Sequence, residues 1–457
     1  MAGRIREKLE GKELKLFCIL SILLLFAAGM FGSSWEGLGD WSTVRRLWTI
    51  VISRDALITD YFELAGYGAA FINSMFVMAI GFVLLCIKRV KFTGLTMAAF
   101  FINMGYALWG KNPLNILPIL FGTLSYARRH GVQLSSCIYT ALFGTCLAPL
   151  VTELVFILPF AKPVNLLFAI GAGMFIGYVL PTFSLHTATM HKGYNLFNVG
   201  FSAGVVAFVL VCVLKALGLE SGSVLIWRAE SPLWIVTGLY GYFIMTFLYG
   251  LFLNKGDVKS FLKIHRHSGK AAADFVLLEG VGSTLMNMGL MGITCCAYIC
   301  LIGGDFSGPV VGAILAAFGF AAFGAHVKNY LPVLLGVYLS TLVNQYQPTT
   351  PSMQLAAIFV VGLAPIAGKF GVIPGMIAGL LHSAIVTCTT EMYGGLNLYN
   401  NGFSAGWVAI VMVPGLEGHK KGTGIIGRCK ERIAGLLREK HNQSTRAENN
   451  EFVKWEE

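Results

Sequence analysis

The chain has 457 residues, 56% of them hydrophobic and 12% charged, about half the charged share of a soluble domain. That composition excludes a soluble globular enzyme and implies a polytopic membrane protein, with room for about a dozen spans of about 20 residues each. A net charge of +11 would suit nucleic acid on a soluble surface, but here Lys and Arg gather at the tails and between apolar runs, the bias of cytoplasmic loops.

Residues 1–59 start basic and polar (Arg4, Arg6, Lys8, Lys12, Lys15), then give an apolar helix from Leu16 to Phe31. A signal peptide has the same two parts, but the long mixed-charge start and the missing A-x-A site favour an uncleaved first span with its N-terminus inside. Residues 32–60 are rich in tryptophan, and the amphipathic piece around Val44 to Leu57 predicts an interfacial helix. Arg45 and Arg46 on that piece fit poorly with the outer side this trace assigns them.

From Asp60 a long internal repeat begins. Asp60, Gly66, Gly68, Asn73, Gly105, Gly110, Asn115, Pro118 and Gly122 return 214 residues later as Asp274, Gly280, Gly282, Asn287, Gly319, Gly324, Asn329, Pro332 and Gly336. Leu147-Ala148-Pro149 returns as Leu363-Ala364-Pro365, and His186 is aligned with His382. Each unit closes on a twin motif, GYNLFNVGFSAG at Gly193–Gly204 and GLNLYNNGFSAG at Gly395–Gly406, identical at nine of twelve positions. The chain therefore divides into 1–59 (first span and interfacial segment), 60–216 (repeat 1), 217–273 (linker with one span, Leu233–Leu253, and a basic loop), 274–415 (repeat 2) and 416–457 (basic tail). In the tail, Ile426, Cys429, Ile433 and Leu437 form an apolar stripe suited to the inner membrane surface, and the last residues read as disordered.

Charge sets the sense of the repeat. Lys88, Arg89, Lys91, Arg128 and Arg129 end helices of the first unit, whereas the second has Asp305 and uncharged Asn344 to Gln347 at the matching places. Basic loops mark the cytoplasmic side, so the units are expected in opposite orientations. The fold class expected is an all-α polytopic membrane protein of about twelve spanning or partly spanning helices, in two inverted-topology repeats with discontinuous helices. Both termini lie inside a cell membrane, the bacterial inner membrane.

The candidate site residues follow from what is costly in hydrocarbon. Asn195, Asn198, Gly200 and Ser202, with Asn397, Asn400, Gly402 and Ser404, lie where Gly-rich breaks meet apolar helices, and polar groups there are tolerated only when buried in protein or lining a cavity. GKNPLNILPILFG (Gly110–Gly122) and GAHVKNYLPVLLG (Gly324–Gly336) place Asn115 and Asn329 beside prolines. Proline breaks a helix interior, so a discontinuous helix, a re-entrant hairpin or a tight turn is expected. Broken helices of this kind build transporter sites near the midplane. Asn73 and Asn287 fall mid-helix, where interhelical hydrogen bonding competes with solute contact. Glu279, His186 and His382 are the candidates for proton coupling, with Glu153 and Glu391 as further intramembrane ionisable groups. The cysteines are scattered without metal-ligand spacing, and there is no HExxH or Walker loop; GFSAG, at Gly200–Gly204 and again at Gly402–Gly406, resembles a serine elbow only loosely, and a paired nucleophile with no paired general base argues against hydrolysis. No cofactor, metal or catalytic residue is expected.

The stretch 1–415 resembles an uncharacterised family of bacterial multi-pass membrane proteins, through its GxNLxNxGFSAG and NxLP segments. The inverted halves and Asn112-Pro113 are also similar to urea-transporter-type channels, at the level of architecture; His326-Val327 departs from that pattern. Together these readings point to a transporter or channel for a small polar solute, neutral or anionic, with its path between the halves. Its partners are then that solute and the lipid bilayer, with homo-oligomerisation left open. An integral membrane enzyme acting on a lipid or isoprenoid, or a non-transporting scaffold, are the alternatives. Single cysteines at Gly131 and Gln345 of a cysteine-free variant should label from opposite sides of the membrane; same-side labelling would make the duplication parallel.

Overall fold

The computed structural model describes residues 2–418, apart from 56, 57, 223, 230 and 272; the features read at Ile426 to Leu437 and beyond lie outside the described residues. The first half holds α1 (Ala2–Trp35), α2 (Asp40–Ile52), α3 (Tyr61–Ile87), α4 (Gly94–Tyr106), α5 (Leu117–Arg129), α6 (Leu134–Gly144), α7 (Ala148–Ile157), α8 (Lys162–Met190) and α9 (Asn198–Ala216). The second holds α10 (Leu233–Leu253), α11 (Lys259–Ile264), α12 (Phe275–Glu279), α13 (Val281–Ile302), α14 (Gly308–Phe320), α15 (Val327–Ser340), α16 (Pro351–Phe359), α17 (Ala364–Phe370) and α18 (Val372–Met392). Residues 400–409 are again helical. Ile410 onward is a second compact unit, described only over 410–418, as helix.

Among the described residues nine helical stretches are long and apolar enough to cross a membrane, fewer than the dozen expected. The shortfall lies in the broken elements. α4 and α14 have 13 residues each, about 20 Å at 1.5 Å per residue, against a hydrocarbon core of about 30 Å. α5 and α15 are also short, with 13 and 14 residues. The tryptophan-rich segment is a helix from Asp40, with Trp41 and Trp48 exposed. Its Arg46 is neutralised by Glu36 at 3.6 Å, which accounts for one of the two misplaced arginines.

The same local devices appear in both halves. Asp60 and Asp274 cap their helices through their carboxylates, and six residues on the chain kinks at Gly66 (φ 84°) and Gly280 (φ 84°), a left-handed backbone that only glycine adopts freely. Each aspartate then reaches into the opposite half. Asp60 Oδ1 accepts the N–H of Gly308 at 3.1 Å, at the start of α14. Asp274 Oδ1 accepts that of Gly94 at 2.9 Å, at the start of α4, and its Oδ2 that of Leu95 at 3.2 Å. The free N–H groups of a helix start need such acceptors when no water reaches them.

Equivalent helices α4 and α14 lie against each other antiparallel. The start of α4 at Gly94 meets the Ala322 carbonyl just past α14, Gly105 meets the backbone of Gly312, and Gly319 meets Ala98. A side chain at Gly105 would strike the Gly312 backbone, so small residues set the distance between these helices. α1 and α10, which the sequence reading kept outside the repeat, also take matching places. Gly29 packs on Gly68 and Ile72 of α3, and Gly250 on Gly282 and Met286 of α13. Ser21 and Tyr242 join the two helices by a 2.8 Å hydrogen bond. Asp60→Ala removes an acceptor shared by Phe62, Gly308 and Arg228 and should destabilise the protein by about 1–3 kcal/mol, read as a lower thermal midpoint in detergent; Asp274→Ala should do the same through Gly94.

Candidate functional site

The two broken segments before α5 and α15 are built alike. After Gly110 (φ 123°) or Gly324 (φ 94°) the chain cannot continue as helix, and asparagines satisfy the carbonyls this exposes. Asn73 Nδ2 donates to the carbonyls of Ala107 and Lys111, both at 2.7 Å. Asn287 Nδ2 donates to those of Ala321 (2.7 Å) and Ala325 (2.8 Å). Asn115 donates to the Gly110 carbonyl at 3.1 Å and accepts from the N–H of Asn112 at 2.9 Å. Asn329 donates to the Gly324 carbonyl at 3.0 Å and accepts from the N–H of His326 at 2.9 Å. His326 thus stands in for Asn112 as cap, which is why the copy with Val327 in place of Pro113 still breaks in the same way.

The twin motifs follow α8 and α18. Asn198 Oδ1 accepts from Thr187 (3.0 Å) and His191 (2.8 Å), and its Nδ2 donates to the Ser184 carbonyl (2.9 Å). Asn400 Oδ1 accepts from Thr389 (2.7 Å) and from the Tyr393 hydroxyl, and its Nδ2 donates to the Val386 carbonyl (3.1 Å). Ser202 and Ser404 complete each cluster by bonds to Thr187 (2.6 Å) and Thr389 (2.8 Å). These equivalences run 202 residues apart, so His186 aligns with Cys388, and His382 with Leu180, instead of with each other.

The motifs do not stay within their own halves. The Leu196 N–H donates to the Gly362 carbonyl (2.9 Å), and that of Leu398 to the Cys146 carbonyl (3.1 Å). Asn195 Nδ2 donates to the Gly402 carbonyl (3.1 Å). Gly200 lies under the Tyr399 ring, and Gly402 against Phe197 and Gly200. Asn195 and Asn397 also accept the N–H two residues on, at 2.9 Å each. Between the halves the rings of Phe197 and Tyr399 sit 5.1 Å apart, with Phe320 4.7 Å from Phe197 and Tyr106 5.3 Å from Tyr399. These rings fill the junction.

On one side the junction borders a cavity of about 320 Å³, reached by Trp109, Leu398, Thr390, Asn400 and Asn401 and rimmed by Tyr346 and Ser352. His382 is buried and hydrogen-bonds Asn401 at 3.0 Å. On the other side the segment before Asp274 lies over the first motif. The Ala271 N–H donates to the Gly193 carbonyl (2.8 Å), and Lys270 Nζ stands 4.9 Å over the Tyr194 ring. Glu279 bonds His267 there at 2.9 Å, and burial, ahead of Lys328, holds His265 below its ordinary pKa. His186 is exposed, and Glu153 pairs with Arg54 at 2.6 Å; the side chain of Glu391 is not among those described. A second space, a groove of about 810 Å³, runs past Asn115 and Thr152 between Arg128 and Lys162. Sequence reasoning passed over Lys111, Asp55, Thr187, Thr389 and Tyr393. The threonines were legible as part of the repeat, since each precedes its motif asparagine by eleven residues.

Asn73→Leu leaves the Ala107 and Lys111 carbonyls without their donor, and Asn287→Leu does so at Ala321 and Ala325. Each should cost about 1–3 kcal/mol, seen as matching falls in thermal midpoint; an unchanged midpoint would show that the breaks are held otherwise.

Residues 40–216 and 253–417 match the family described as "protein of unknown function (DUF1576)". No curated protein and no solved structure matches the chain. The chain belongs to the DUF1576 family.

Proposed function

From membership of a family without an assigned activity, we propose that this polytopic membrane protein is a transporter or channel for a small polar solute, with its path between two inverted repeats. One observation carries the reading: the two glycine- and asparagine-rich motifs meet across the halves, with a cavity of about 320 Å³ reaching Asn400 and Asn401. Transporter sites are built from such broken helices at repeat interfaces. The antiparallel packing of equivalent helices α4 and α14, and the reciprocal caps from Asp60 and Asp274, support an inverted relation. The matched packing of α1 and α10 supports a larger repeating unit that begins with these helices. The basic loops support a cytoplasmic side for both termini, in a cell membrane.

In this conformation the aromatic junction closes the path and the segment over Gly193 covers its other side. Solute movement then requires these to part. Asn195, Asn198, Asn397, Asn400, Ser202, Ser404, Asn73, Asn287, Asn115 and Asn329 shape the path by holding its unwound backbone, with Gly200 and Gly402 allowing the motifs to touch. Direct contact falls to Asn400, Asn401 and Thr390 at the cavity. His382, bonded to Asn401, is the best placed of the candidate proton-coupling groups. The groove between Arg128 and Lys162 would admit a lipid chain, as a lipid-modifying enzyme needs. No Asp, Glu, His or Cys is among its lining residues to act as acid, base or nucleophile.

The test is flux in proteoliposomes over a panel of small polar solutes. Asn198→Leu and Asn400→Leu should each lower the same flux about tenfold or more, the equivalent of about 1.4 kcal/mol. Ser352→Trp, which fills the cavity, should block it without lowering the thermal midpoint. Parental rates in all three folded variants would remove the path from this junction.

A further inference from the structure

The two halves differ at a buried cluster beside the aromatic junction, and the difference there is chemically one-sided. Lys111, in the first-half break, is fully buried. Its Nζ donates to Asn103 Oδ1 (2.7 Å) and Thr145 Oγ1 (2.8 Å) and lies 5.0 Å over the Tyr106 ring. Both acceptors are neutral, and among the described residues no ion pair includes Lys111. An ammonium taken out of water without a counter-charge is expensive, and a cation–π contact returns only part of that cost.

The fold itself does not require this charge. In the second half the positions of Lys111, Asn103 and Thr145 are held by Ala325, Ala317 and Val361. The Ala325 carbonyl is nonetheless clamped by Asn287 as the Lys111 carbonyl is by Asn73. The neighbours follow the same rule. The Tyr106 ring lies 5.4 Å from Trp109 and 5.3 Å from Tyr399, and their counterparts are Phe320, Phe323 and Phe197. The Tyr106 and Tyr399 hydroxyls and the Trp109 indole N–H are buried with no hydrogen-bond partner among the described residues. Buried polar groups are otherwise nearly always paired. One side of the junction therefore carries a cation and three unspent donors where its twin is hydrocarbon, and Trp109 also borders the cavity that reaches Asn400.

We propose that this cluster is the selectivity site of the path and that the solute is a small oxyanion, which Lys111 neutralises while Tyr106, Trp109 and Tyr399 donate to its oxygens. The assignment rests on the transport reading above and names its substrate class. An anion supplies both features the site lacks, a negative charge and several acceptors; a cation or a donor-rich neutral solute supplies neither.

Methanesulfonate and methanesulfonamide test this, being near-identical in shape and different in charge. Flux of each is measured in proteoliposomes, with protein-free leak subtracted, for the parent, Lys111→Ala (the residue of the twin) and Lys111→Gln. The parent should pass the anion at least tenfold faster than the amide. Both variants should bring the ratio to within about twofold, with a thermal midpoint equal to or above the parental one, since an unpaired buried charge is gone. A shift in the charge ratio is not something a merely structural lysine would produce. Equal rates in the parent, or a parental ratio in both variants, would overturn the anion assignment and leave transport standing. Passage of neither probe by a parent that carries other solutes of the panel also overturns it, whereas silence across the whole panel overturns the transport reading as well.

Discussion

Everything in this structure depends on how broken backbone is satisfied where water cannot help. Four helices stop short of the bilayer's thickness, and each stop exposes N–H and C=O groups that hydrocarbon leaves unpaired at a cost of several kcal/mol each. The protein answers with asparagine amides and aspartate carboxylates at fixed places. Asparagine suits the task because one side chain donates and accepts at once. Asn115 and Asn329 use both faculties across a single turn. The aspartates do more, since Asp60 and Asp274 each cap their own helix and one belonging to the opposite half.

That exchange makes the two halves mutually dependent. Neither α4 nor α14 has a satisfied start without the other half's aspartate, and neither twin motif has its Leu196 or Leu398 amide paired without the other half's carbonyl. Glycine enforces the closeness these bonds need. Gly105 on Gly312 and Gly200 under Tyr399 are approaches that a Cβ would block. A duplicated unit bound in this way cannot be read as two domains side by side. Its interior is the interface.

Most of the recurring polar residues serve the architecture, and the two copies depart from each other at particular buried polar positions. The repeated asparagines, serines and threonines carry nearly the same hydrogen bonds in both copies, which is the behaviour of a scaffold. The unrepeated buried groups include Lys111 with its neutral cradle, and His382 with Asn401, where the first half has Leu180 and Val199. Both adjoin the aromatic junction or its cavity. Burying such groups is costly, and the twin copy does without them.

The sequence by itself determined the membrane class, the recurrence of the same residues at a fixed spacing and the positions of the breaks, because hydropathy, glycine and proline act locally and leave their mark along the chain. It also marked the motif asparagines as polar groups needing an explanation. It did not determine what they bind, since an amide facing a solute and an amide facing a carbonyl are the same letter. Tertiary structure decided that Asn73 and Asn287 clamp the breaks, that the motifs pair across the halves, and that α1 and α10 pack as equivalents despite almost no shared residues. It also decided the standing of Lys111, which beside Gly110 and Asn112 reads as a loop cation facing water. Only the approach of Asn103 from α4 and Thr145 from the end of α6 removes that water, because burial is a property of what folds back onto a residue and not of its neighbours in the chain.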